Sequence, residues 1–126
     1  MISALERYHS FFGDDFTVEY PKGSAVRRTL SEVADDLRER LISLFRTGGD
    51  GRRPAYGFVD KLQHDPRWNQ HVMFFEYFEG DNGAGLGASH QTGWTGLVVD
   101  MIRRRPDRDA LDPPIDATAE AGSRTG

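Results

Sequence analysis

Phe74-Phe-Glu-Tyr-Phe-Glu-Gly-Asp-Asn-Gly-Ala-Gly-Leu-Gly-Ala-Ser-His-Gln-Thr-Gly-Trp-Thr-Gly-Leu97 is the stretch on which the reading of this chain turns. It opens as an aromatic run holding one carboxylate, Glu76, between Phe75 and Tyr77. An ionised carboxylate among apolar side chains is costly unless it is paired or projects into water. In a partly apolar cleft such a group is suited to acid/base work; at an edge it simply points outward. Glycine then takes over, with six of the chain's fourteen glycines between positions 80 and 96. Gly83-Ala-Gly85-Leu-Gly87-Ala88 imitates the G-x-G-x-x-A turn of dinucleotide-binding proteins. No βαβ unit follows it, however, and Asp100 falls inside the next expected helix rather than at a strand end. A tightly turning loop is the plainer reading. Ser89, His90, Gln91 and Thr92 form a polar cluster able to hydrogen-bond a hydroxylated ligand.

The next element outward is a helix expected over about Gly93–Arg105, carrying Trp94, Leu97, Val98, Met101 and Ile102. Arg103, Arg104 and Arg105 suit its negative end, and Pro106 stops it. Ser89 or Thr92 is the candidate cap. Upstream, the clearest helix runs from about Leu30 to Phe45. Thr29-Leu-Ser-Glu32 is a capping-box pattern, and Leu30, Val33, Leu37, Leu41 and Leu44 keep the helical period. Residues 2–12 (Ile2, Leu5, Tyr8, His9, Phe12) read as a short helix stopped by Gly13. Phe16, Val18 and Tyr20 alternate over 14–23, which fits either a short strand or an extended connector. Residues 52–71, with Pro54, Gly57 and Pro66, read as loop.

A length of 126 residues allows one domain. The last twenty-one residues carry five acids, two bases and half of the six prolines, with Leu111 and Ile115 as the only large aliphatics. Too little apolar area is present there to offset ordering entropy, so 106–126 reads as a disordered acidic tail and 1–105 as the foldable part. Zero cysteines exclude disulfides and thiolate chemistry and fit a cytoplasmic protein. Net charge is −4 without a basic stripe, so no nucleic-acid partner is expected. No apolar run approaches the roughly 18 residues of a membrane helix, so no membrane partner is expected either. His9, His64, His71 and His90 lack helical metal-site spacing, and the calcium-loop pattern begun by Asp81 has Thr92 where its Glu belongs. No cofactor is expected.

Taken whole, Phe74–Leu97 resembles the C-terminal signature of bacterial glycoside hydrolase family 63 proteins, which include glucosidase-like and mannosylglycerate hydrolase-like enzymes. It is more distantly similar to family 37 trehalases. The segment Ile2–Gly23 resembles the stretch preceding this signature in longer members, so the resemblance covers about residues 1–105. The fold it implies is all-α, the C-terminal portion of an (α/α)6 barrel, incomplete in this chain. The activity it implies is inverting hydrolysis of an α-glycosidic bond, with Glu76 as general base and His90, Gln91 and Trp94 lining a sugar pocket. The family's general acid is an Asp far upstream, for which this chain has no matching motif. The resemblance therefore implies a C-terminal fragment acting on carbohydrate only when an upstream-encoded polypeptide completes it, and inactive alone. The alternative is a non-catalytic helical interaction module using the apolar stripe of the helix at 30–45. A third possibility is sugar binding without hydrolysis.

Overall fold

The computed structural model describes residues 1–105. The expected acidic tail and the Pro106 stop lie outside the described residues. Helix α1 spans Ile2–Phe12 and ends at Gly13, whose φ of 72° takes the chain out of helical conformation. Strands β1 (Thr17–Glu19) and β2 (Arg27–Thr29) pair antiparallel, with Val18 opposite Arg28. The Glu19 carboxylate closes their connection by accepting the amides of Gly23 (3.1 Å) and Ala25 (2.9 Å).

Strand β2 runs directly into α2 (Leu30–Ser43), and both halves of the expected capping box form. The Glu32 amide donates to Thr29 Oγ1 at 3.2 Å, and the Thr29 amide donates to the Glu32 carboxylate at 2.7 Å. The helix ends two residues short of the expected Phe45. Leu30, Val33, Ala34 and Ile42 of its apolar stripe are buried, and Leu37, Leu41 and Leu44 are half-buried. Arg38 lies on the same helix only 2 % exposed. It pairs with Glu6 of α1 and with Asp35, so a charge that would be costly alone ties α1 to α2.

Residues 52–71 are more ordered than a loop. A 3-10 turn at Pro54–Tyr56 and the short helix α3 (Asp60–His64) occupy them. Two-residue strands β3 (Tyr77–Phe78) and β4 (Gly85–Leu86) form a second antiparallel hairpin, and α4 spans Thr92–Arg103. The core joins α2, the 3-10 turn and α4 through Ile42, Phe45, Ala55, Val98 and Met101. Each fully buried aliphatic of this kind contributes roughly 1.5–3 kcal/mol.

This architecture corrects the expected fold class. Among the described residues there are four helices and two small antiparallel sheets, which is not a portion of an all-α (α/α)6 barrel. The physical reason lies in the signature itself. Its aromatic run favours extended backbone, and its glycines take up left-handed positions such as Gly83 (φ 75°) and Gly87 (φ 76°), so it folds as a hairpin where a helical ring would need continuous helix.

Candidate functional site

Glu76 sits immediately before β3, on the hairpin that carries the glycines. Two absent side chains shape its surroundings. A Cβ on Gly85 would collide with the Phe75 ring and come within 2.8 Å of the Ala55 carbonyl oxygen, so only glycine lets β4 lie against the 3-10 turn. A Cβ on Gly87 would stand 2.7 Å from Glu76 Oε2, so this glycine leaves the carboxylate its space. The carboxylate itself is exposed and accepts one long contact, 3.4 Å from the Ala88 amide. It projects into water, which removes the burial cost that its aromatic neighbours suggest.

Trp94 reaches the same place from α4. Its Nε1–H donates to the Glu76 backbone carbonyl at 3.2 Å. Its ring packs edge-on to Phe78 (centroids 5.3 Å, planes at 88°) and tilted against Phe45 (6.4 Å). Phe45 in turn stacks on Phe74 at 5.1 Å and meets Phe78 edge-on at 5.4 Å. Trp94 thus belongs to an aromatic cluster, with one polar atom fixing the backbone of the candidate base.

Gln91 and His90 are placed by backbone pairing. His90 bridges to Phe74, and the Gln91 amide donates to the Phe74 carbonyl at 2.9 Å. Gln91 is the N-cap residue of α4, and its side chain does not cap the helix; neither expected cap, Ser89 or Thr92, occupies that position. The fold therefore brings Glu76 and Trp94 into direct contact and seats His90 and Gln91 beside the strand segment leading to Glu76. His90 is exposed and Gln91 half-buried. Glu79, the other carboxylate of the run, accepts the Asn82 amide at 3.1 Å inside the hairpin turn, so it serves the turn.

The support beneath the site had no periodic signal in the sequence. Gln63 is 5 % exposed, and its amide accepts from the Arg53 amide (2.9 Å) and donates to the carbonyls of Arg53 and Gly57 (3.0 Å each). The Arg53 guanidinium donates to the Tyr56 hydroxyl and to the Asn69 carbonyl, while the Tyr56 hydroxyl donates to the His71 carbonyl. This network holds the 3-10 turn whose Ala55 carbonyl abuts Gly85. The Ala55 amide also donates to the Leu44 carbonyl at 2.9 Å, fixing the turn to the end of α2. The dipeptide Arg53-Pro54 was the only available hint, because Pro at the first position of a turn presets its φ.

No group of three or more metal-ligating side chains occurs among the described residues. No helix among them is long and apolar enough to cross a membrane. No family model matches the sequence, and no solved structure does. The chain is similar to Uncharacterized protein YMR196W of Saccharomyces cerevisiae, with 48 % identity over 104 residues. That alignment takes in 81 % of this chain and 10 % of the yeast protein. The chain therefore spans about a tenth of the length of the curated relative it matches.

Proposed function

We propose that this chain supplies the general-base carboxylate, Glu76, of an inverting α-glycosidase-type site whose general acid belongs to further polypeptide. The observation carrying this reading is the exposed Glu76 carboxylate, left room by Gly87 and backed by Trp94 within a signature that resembles family 63 glycoside hydrolases. The reading concerns the site and does not involve a barrel within this chain.

The chemistry asks little of the base beyond position and a free lone pair. Glu76 would take a proton from a water as the water oxygen attacks the anomeric carbon. The bond to the leaving oxygen breaks on the opposite face, where a carboxylic acid protonates that oxygen. The two carboxyl groups of an inverting pair stand roughly 6.5–9.5 Å apart to admit the water. Glu79, the neighbouring carboxylate of the run, is engaged in its turn and is a poor choice for the acid. The chain alone should therefore not turn over α-glucosides.

Assay of the purified chain on α-glucosides, beside Glu76→Gln, tests this. No turnover by either is expected. Turnover persisting in the variant would overturn the base assignment, and turnover abolished in the variant would overturn the need for further polypeptide. The competing interaction-module reading relied on the apolar stripe of α2. Val33, Ala34 and Ile42 of that stripe are buried inside the chain, while Leu37, Leu41 and Leu44 are half-buried.

A further inference from the structure

Arg53 braces the 3-10 turn with only part of its guanidinium. That group carries five N–H donors. The two on Nη1 go to the Tyr56 hydroxyl and the Asn69 carbonyl. The Nε–H is buried without a partner, and the hydrogens on Nη2 meet no acceptor among the described residues. Arg38, Arg40, Arg46, Arg104 and Arg105 each pair with a carboxylate, whereas Arg53 pairs with none among the described residues. This unmatched cation borders a cavity of about 340 Å³. Thr47, Asn69 and Gln70 also line it, and their side chains make no hydrogen bond among the described residues. Tyr56 and Gln63 complete the wall with polar groups already spent on backbone carbonyls. No carboxylate lines this space. Asp50, the nearest acid in sequence, lines a neighbouring cavity of about 240 Å³ with Arg52, whose amide it accepts at 3.0 Å.

We propose that this cavity binds a small oxyanion, a phosphate or a carboxylate group, through Arg53 Nη2 and the side chains of Thr47, Asn69 and Gln70. One hydroxyl, two amides and a guanidinium edge around a single space are all able to donate, and an oxyanion offers acceptors to each of them. It also supplies the missing charge, and hydrogen bonds between ionised partners are the strong ones. A neutral sugar would bring hydroxyls to the same donors but leave the cation unmatched. Because Arg53 holds the turn beneath Gly85, a bound anion should stabilise the folded chain by mass action. The proposal is independent of the glycosidic chemistry.

Titration of the whole chain at constant ionic strength, followed at the Arg53 Nε–H resonance by nitrogen-15 NMR, decides it. Burial shelters that proton from exchange with water, so it reports on its own guanidinium. Inorganic phosphate or acetate should shift the resonance saturably, and the tighter of the two names the group the site takes. Chloride and glucose should not. Gln70→Ala and Thr47→Val should each weaken binding about fivefold. Both side chains are exposed, so the melting temperature without anion should stay unchanged. Arg53→Lys, followed by calorimetry because it removes the reporter, should weaken binding about tenfold. Where that variant melts early, the other two carry the test. A shift that never saturates, or that chloride reproduces, is screening alone and would overturn the proposal. Saturable binding undiminished in Gln70→Ala and Thr47→Val would place the anion elsewhere and overturn it equally. Saturation by glucose but by neither anion would assign the cavity to a neutral ligand, against the proposal. No readout involves Glu76.

Discussion

The described residues form two hairpins that each lead to a helix, and they are closed by opposite means. The first, β1–β2, is held by side chains that are present. Glu19 gathers two loop amides, Tyr20 donates its hydroxyl to Asp36 at 2.6 Å, and Thr29 and Glu32 cap α2 reciprocally. The second, β3–β4, is held by side chains that are missing. Gly85 admits Phe75 and the Ala55 carbonyl, Gly87 admits the Glu76 carboxylate, and α4 starts at Gln91 with no side-chain cap. One unit is specified mostly by polar partners three to six residues apart, with Tyr20–Asp36 as its one longer tie. The other is specified by close approach to groups distant in sequence. The candidate base sits on the second, where a single methyl group is felt most.

The largest effect should therefore come from Gly85→Ala. Its Cβ has only the Phe75 ring and a backbone carbonyl to displace, so chemical denaturation should report a loss of about 1–3 kcal/mol. A neutral outcome would break the contrast between the hairpins. Thr29→Ala removes the cap of the first unit and should cost about 1 kcal/mol in the same measurement. Gln91→Ser should work in the other direction. Gln91 has the extended backbone of an N-cap (φ −89°, ψ 100°) without a capping side chain, so Ser should stabilise α4 by somewhat under about 1 kcal/mol.

The smallest effect separates the units by pH. Hydrogen bonds from Thr29 hold the Glu32 carboxyl below its ordinary 4.5, and the Tyr20 hydroxyl, aided by Arg40, holds Asp36 below 3.8. A carboxyl lowered on folding stabilises the folded state above its unfolded pKa, and that contribution disappears as pH falls through the lower folded value. Stability should thus decline below about pH 4, in part through the first unit. Asp36→Asn should flatten that decline when melting temperature is followed against pH; an unchanged slope would show that Asp36 does not contribute.

The same contrast explains what the sequence made legible. The helices at 2–12, 30–43 and 92–103 announce themselves through apolar period, the Thr29–Glu32 box and Gly13, all interactions within a few residues. The hairpin at 77–86 did not, because its register depends on Ala55 and Phe75, whose proximity no local pattern encodes. The resemblance drew attention to Glu76 and Trp94, and the structure places them in contact through the indole hydrogen bond. The resemblance also led to an all-α barrel portion, which the hairpins contradict. Gln63 and Arg53, which fix the turn beneath the site, were invisible because a buried amide in an aperiodic stretch reads as solvated loop.

The proposed role of Glu76 is tested most directly in the full-length yeast relative, where further polypeptide is present. Hydrolysis of an α-glucoside should be followed there by proton NMR, with and without Gln at the position aligned with Glu76. The role predicts a carboxylate at that position, a product released with inverted, β anomeric configuration, and a rate lowered about 10²–10⁴-fold by the substitution. An undiminished rate in the substituted protein, or a product that keeps the α configuration, would contradict it.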